Sequence, residues 1–282
     1  MNSKRGVSLH IGVNIVDPAH YGGSWDGKLN ACEKDCDDMQ VIAENQGFET
    51  HILKSQQATR EAVTSSIRDI AEQLNDGDFF LLSYSGHGGT IPDVDGDEED
   101  LVDETWCLFD GQLLDDELNL LWAEFDAGVR LLVISDSCHS GTMLKDIDLS
   151  QLNLRNSGRV VEPDDVFEHP RAMPRDAAKD TARRNRQFYA DLQYALPNPR
   201  PEISATVRLI SGCQEDELSW EGEGNGRFTE ALKRTYAGGE FDGDYHAFHQ
   251  AIREIVKEKQ RPNHAVRGAP NKAFDEERPF KI

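Results

Sequence analysis

Four strongly apolar runs constrain the fold of this chain more than any other feature. They lie at 7–15, 79–82, 129–134 and 207–210. Helical spacing of apolar residues occurs between the runs, as in 58–74, and Asn75-Asp76-Gly77 ends that helical pattern. Because strand and helix patterns alternate along the chain, we predict an α/β fold, with a mostly parallel sheet and helices on both faces.

The alternation gives a complete set of predicted elements. Strands are predicted at 7–16, 48–53, 79–84, 129–135 and 207–211, with a final strand near 273–280. Helices are predicted at 29–45, 58–74, 115–125, 228–236 and 245–259. Residues 142–205 break the alternation, because they are polar and rich in Pro and Arg. So long a loop inside a compact domain is usually functional or disordered.

Composition narrows the classes of partner and the cellular compartment. The 282 residues carry 52 acidic and 30 basic side chains, a formal net charge of −22. This balance argues against nucleic acid and anionic membranes as partners and favours cations or basic peptides. The five cysteines form no disulfide framework, and no apolar run is long enough to span a membrane. We therefore expect a cytoplasmic protein.

Two polar segments follow predicted strands and carry the residues of a nucleophilic site. One segment, 83–89, contains His87, and the other, 135–141, contains Cys138. The carboxyl ends of parallel strands meet at one edge of a sheet, so we expect the imidazole and the thiol to lie close together. A base that removes the thiol proton activates the sulfur, which indicates a cysteine hydrolase. His139 is the alternative base, but neighbouring side chains of an extended segment point in opposite directions.

Acyl transfer also needs hydrogen-bond donors for the negative oxygen that develops during attack. The backbone N–H groups of Cys138 and Gly88 suit this role, because a glycine lets the main chain approach closely. The sequence indicates no third member of a catalytic triad.

The two motifs resemble a known family of peptidases. His87 precedes Cys138 by 138 − 87 = 51 positions, the order and approximate spacing of caspases. The hexapeptide Asp-Ser-Cys-His-Ser-Gly at 136–141 closely resembles the motif of metacaspases and bacterial orthocaspases, which are caspase-like peptidases of clan CD, family C14. The resemblance extends from Val7 to Phe280 and is weakest between 142 and 205.

The resemblance implies a caspase-like fold with a six-stranded sheet and one peptidase domain over residues 1–282. Within it, residues of about 1–145 are similar to the large subunit and about 205–282 to the small subunit. Between them, about 146–204 form an Arg- and Pro-rich linker, which in the family is often cut during activation. The related enzymes also suggest a monomer.

The family's acidic S1 pocket, which holds the side chain before the cleaved bond, matches four positions here. These are Cys32, Asp35, Ser85 and Asp136. Cys32 and Asp35 are three residues apart on one helix face, and carboxylates give a guanidinium charge-assisted partners. The resemblance thus implies cleavage after Arg or Lys. Taken alone, Asp35 also fits an exposed helix residue.

An acidic stretch indicates a cation site. Residues 90–117 hold twelve acidic side chains and no basic one, although Gly96 is misplaced for an EF-hand. The calcium site of the related enzymes resembles Asp103, Asp115 and Asp116 here, together with an acid after the nucleophile. Lys145 stands at that last position, and Asp146 is next to it. Clustered carboxylates repel each other without a hard cation, so we expect Ca²⁺; alternatively, the acids at 115–117 only complement a helix dipole.

The resulting hypothesis is a Ca²⁺-stimulated cysteine endopeptidase that cleaves protein substrates after Arg or Lys through an acyl-enzyme. Cleavage within 142–205 would release the basic linker from an acidic cleft and activate a zymogen. Two alternatives stay open from the sequence. One is a catalytically silent scaffold that binds a cation or a basic partner. The other is a peptide ligase that uses the same nucleophile.

Overall fold

A computed structural model describes residues 4–92, 102–138, 170–213, 219–222, 224–257 and 260–282. Its strands are β1 Gly6–Gly12, β2 Glu49–Lys54, β3 Phe79–Ser85, β4 Gly88–Pro92, β5 Val102–Leu108, β6 Gly111–Leu114, β7 Arg130–Asp136, β8 Thr206–Ser211 and β9 Asn263–Gly268. Its α-helices are α1 Cys32–Asn45, α2 Arg60–Ala71, α3 Asp115–Ala123, α4 Arg175–Arg184, α5 Arg186–Ala195, α6 Arg227–Tyr236, α7 Tyr245–Val256 and α8 Lys272–Glu276.

The central sheet has six strands in the order β2-β1-β3-β7-β8-β9. All neighbours are parallel except β9, which runs antiparallel to β8. The predicted mostly parallel α/β sheet is therefore confirmed. A smaller antiparallel sheet of β4, β5 and β6 follows β3 directly.

Alternate side chains of the fully buried strands build two cores, one on each face of the sheet. In β3, Phe80 and Leu82 pack with residues of α2 and α3, whereas Phe79 and Leu81 pack with residues of α1, α6 and α7. Burial on both faces explains why this strand is a continuous apolar run. The sheet is thereby packed on both faces, which leaves its carboxyl edge available for a site.

The prediction of a final strand near 273–280 is wrong. Residues Lys272–Glu276 form a short helix, whose first turn is capped by the Asn271 side chain accepting a hydrogen bond from Phe274 N–H. The last strand is instead β9, which has no fully buried residue and so lacks a clear strand pattern. The predicted loop 142–205 contains α4 and α5 in its described part.

Across the described ranges of the chain, no helix is long and apolar enough to cross a membrane.

Candidate active site

The two catalytic candidates stand at the carboxyl ends of neighbouring strands. Strands β3 and β7 are paired in parallel, with Ser85 opposite Asp136. His87 and Cys138 each follow two residues later in the chain. The register of the sheet thus delivers the imidazole-bearing loop and the thiol-bearing loop to one edge.

His87 is buried and oriented by the loop before α1. Its Nε2 donates a hydrogen bond to the Gly27 carbonyl at 3.1 Å, and its ring lies 4.9 Å from that of Trp25. Because a carbonyl only accepts, Nε2 carries the ring proton in the neutral imidazole. Nδ1 is then the ring nitrogen that can accept a proton.

The Cys138 thiol lies in a buried position against the main chain of Ser219. Ser219 N–H donates to Sγ at 2.9 Å, and the thiol donates a weak hydrogen bond to Ser219 O at 3.5 Å. Burial, together with the neighbouring Cys213, raises the pKa of Cys138 well above its usual range. The resting sulfur is therefore protonated, and it needs a base to become a nucleophile.

Two backbone N–H groups converge on a single carbonyl oxygen beside the thiol. Cys138 N–H and Gly88 N–H donate to the Arg171 carbonyl at 3.2 and 3.0 Å. A Cβ atom at position 88 would overlap the Cys138 carbonyl, so only glycine permits this approach of the two loops. The pair has the geometry of an oxyanion hole.

The side chain of Arg171 fills an acidic pocket next to this carbonyl. Its Nη2 lies 2.7 Å from Asp35 Oδ2, and its Nη1 lies 2.9 Å from Asp136 Oδ2 and 2.8 Å from Ser85 Oγ. Arg171 is 0% exposed and both aspartates are 1% exposed. Cys32 is also fully buried, and Arg171 is among the charges that act on its thiol. The four sequence-predicted S1 residues therefore surround one guanidinium.

Further donors hold the two pocket carboxylates in place. Asp35 Oδ1 accepts from Asn225 Nδ2 at 2.8 Å and from Gly226 N–H at 3.0 Å. Asp136 accepts from Ser219 Oγ at 2.6 Å and from Thr229 Oγ1 at 2.7 Å. Burial raises the pKa of Asp35, while the Arg171 guanidinium opposes that rise. A cation in the pocket thus stabilises the charged form of the buried carboxylate.

The main chain on both sides of Arg171 is bound as an extended peptide. Before the carbonyl, Arg171 N–H donates to Ser219 O at 2.9 Å, and Pro170 forms an antiparallel bridge with Trp220. Trp220 also packs against the cluster of Cys138, Ala172 and Cys213. After the carbonyl, Met173 N–H donates to Gly88 O at 2.8 Å. The segment thus crosses the site in an extended conformation, held by main-chain contacts on both sides of the Arg171 carbonyl.

The residues predicted to bind calcium have protein partners. Asp103 accepts a hydrogen bond from Gln193 Nε2, and Asp116 is paired with Arg200. Asp115 begins α3 beside Asp116. Asp146 lies outside the described residues, as does the alternative base His139. Within the described segments, no group of three acidic, His or Cys side chains is placed to hold a metal.

Several residues of the site carry no recognisable signal in the sequence. Ser219, Asn225, Gly226 and Thr229 orient the pocket, but residues of these types are common throughout proteins. Arg171 is one of many arginines between 155 and 208. Only the folded chain shows which arginine enters the pocket.

Comparison with known proteins places this geometry in context. The profile of the caspase domain family, Peptidase C14, matches residues 8–274. Metacaspase-1 of Schizosaccharomyces pombe is 26% identical over 258 residues, which cover 81% of this chain and 58% of that protein. Metacaspase-1B of Aspergillus fumigatus is 33% identical over 152 residues, 49% of this chain and 36% of that protein. The chain thus spans between about a third and three fifths of these relatives.

Two solved structures are similar over nearly the whole chain. A crystal structure of a Geobacter sulfurreducens protein has a TM-score of 0.86 and 46% identity, and the match covers 99% of both chains. Caspase-1 from Spodoptera frugiperda has a TM-score of 0.55 and 12% identity, covering 94% of this chain and 89% of that one. The second similarity concerns the fold, which is caspase-like.

Proposed function

The chain belongs to the caspase domain family, and we propose that it is a cysteine endopeptidase that cleaves peptide bonds after Arg or Lys. One observation carries the proposal. The guanidinium of Arg171 lies between Asp35 and Asp136 while its carbonyl oxygen accepts hydrogen bonds from Cys138 and Gly88. A silent scaffold has no need to align a basic side chain, a carbonyl and a thiol in this order.

In the proposed reaction, the thiol proton leaves the Ser219 carbonyl and passes to His87 Nδ1. The thiolate adds to the carbonyl carbon of the basic residue, and the two backbone N–H groups stabilise the oxyanion. The amine then leaves with the proton from His87, and a thioester remains on Cys138. Water hydrolyses the thioester and restores the thiol.

Regulation by cleavage in the linker is part of the proposal, and Arg171–Ala172 is the bond that we assign to it. While Arg171 occupies the pocket, no other basic residue can enter. The intact chain is therefore closed to external substrates.

Calcium stimulation also stays a proposal. It is based on Asp103, Asp115, Asp116 and Asp146, and it requires Arg200 to release Asp116. The cytoplasmic location and the monomeric state stay predictions.

Replacement of the internal arginine tests the proposed activity. Arg171→Ala vacates the pocket, and we expect this variant to hydrolyse fluorogenic peptides that end in Arg or Lys but not matched peptides that end in Asp. The double variant Arg171→Ala/Cys138→Ala should lose about a thousandfold or more in kcat/KM, because the nucleophile is gone. Preference for Asp, or activity that survives without Cys138, would refute the proposal.

A further inference from the structure

Both sides of the Arg171–Ala172 bond are anchored to the protein independently of the bond itself. On one side, the Arg171 side chain is fully buried in the acidic pocket, and its N–H is bound to Ser219. Residues 139–170 also join it covalently to Cys138. Cutting the bond therefore does not free the new carboxyl end.

The other side is anchored by contacts of its own, none of which involves Arg171 or the segment just before it. Met173 is fully buried in the main core, and its N–H is bound to Gly88 O. Helices α4 and α5 continue this attachment. Tyr189 Oη lies 2.6 Å from His20 Nε2 and accepts from Gln112 N–H at 3.0 Å, and Asn185 Nδ2 donates to His20 O at 2.9 Å. The new amino end stays where the bond was cut.

Resting on the proposed peptidase chemistry, we propose a second activity for this site: it rejoins Arg171 to Ala172. The Ala172 α-amine attacks the Cys138 thioester of Arg171, the C–N bond forms, and the C–S bond breaks. The amine proton passes through His87 to the departing thiolate, so the step is the reverse of cleavage and consumes no other reagent. From the hydrolysed state, the thiol first re-forms the thioester. One carboxylate oxygen then leaves as water, taking up the thiol proton and one proton from the His87 imidazolium.

Position and burial both favour the amine over water in this step. A nucleophile held beside the reacting carbon has a very high effective molarity, on the order of 10⁵ M in well-oriented cases. Ala172 is only 7% exposed and packs with Cys138 and Cys213. Burial disfavours the ammonium form, so the amine remains nucleophilic at neutral pH. Self-cleavage then becomes a balance between cut and intact chains, and cutting alone does not empty the pocket.

Incubation of the wild-type protein in H₂¹⁸O tests rejoining. Hydrolysis places ¹⁸O in the Arg171 carboxylate, and rejoining transfers it into the Arg171 carbonyl of intact chains. We expect the cut fraction to reach a plateau short of completion, with intact chains gaining one heavy oxygen at Arg171. After denaturation, digestion in ordinary water with a glutamate-specific protease gives the peptide that begins at His169. Fragment-ion mass spectrometry of this peptide then shows which residue carries the heavy oxygen. Cys138→Ala should show neither cleavage nor label.

A matched pair of variants tests the role of the anchored amine. Tyr189→Phe removes the hydroxyl that holds α5, and we expect the ratio of cut to intact chains at the plateau to rise about fivefold or more. Tyr194→Phe, on the same helix and 71% exposed, should leave that ratio unchanged. Complete cleavage of the wild type, or an intact fraction without ¹⁸O, would overturn the inference. Absence of both cleavage and label would overturn it too, and the peptide assay on Arg171→Ala then decides separately whether the peptidase proposal fails.

Discussion

At the scale of single residues, position 226 decides whether a guanidinium fits the pocket. A Cβ atom there would overlap Asp136 Oδ2 and would lie 2.6 Å from Arg171 Cζ and Nη1. The backbone at Gly226 has φ −59° and ψ 147°, which any residue can adopt. The glycine is thus required for the space it leaves and not for its backbone freedom.

Gly226→Ala in the Arg171→Ala background should therefore lower kcat/KM for Arg-terminated peptides by about a hundredfold, because the methyl group occupies the volume of the guanidinium. Gly224→Ala is the matched control, since a Cβ at 224 meets no atom within 4 Å. Steady-state kinetics with one Arg peptide measure both variants. Equal activity of the two variants would show that basic side chains do not bind beside Gly226.

At the scale of elements, β3 and β7 could be predicted because burial on both faces makes them continuous apolar runs. Their polar ends also located His87 and Cys138. Strand β9 could not be predicted, because an edge strand with half-exposed side chains has no clear period. The residues that orient the pocket could not be predicted either, because Ser219 and Thr229 contact Asp136 only after the distant segments have packed together.

Helix α3 and the segment after α5 meet at the pair of Asp116 and Arg200, which makes the calcium proposal testable. A cation already paired with Asp116 competes with an added one. Arg200→Ala should therefore bind Ca²⁺ about three- to tenfold more tightly than the wild type in isothermal titration calorimetry. Arg183→Ala is the control, because Arg183 is exposed and paired with Asp180 on its own helix. Equal Ca²⁺ affinity of the two variants would show that calcium does not bind at Asp116.

At the scale of the whole molecule, the cleaved bond lies in the connection between two strands that remain paired. Strands β7 and β8 are neighbours in the central sheet, and residues 137–205 join them in sequence. The two halves of a cut chain therefore share one sheet and two cores. Cleavage of this connection therefore leaves the fold intact.

The central claim is that Cys138 attacks the carbonyl of Arg171 in its own chain. Amino-terminal sequencing of the carboxyl-terminal product, followed over time at several protein concentrations, tests it most directly. The expected product begins at Ala172, forms with a first-order rate constant that is independent of protein concentration, and is absent from Cys138→Ala. A product that begins at another residue, or the same product from Cys138→Ala, would contradict the claim.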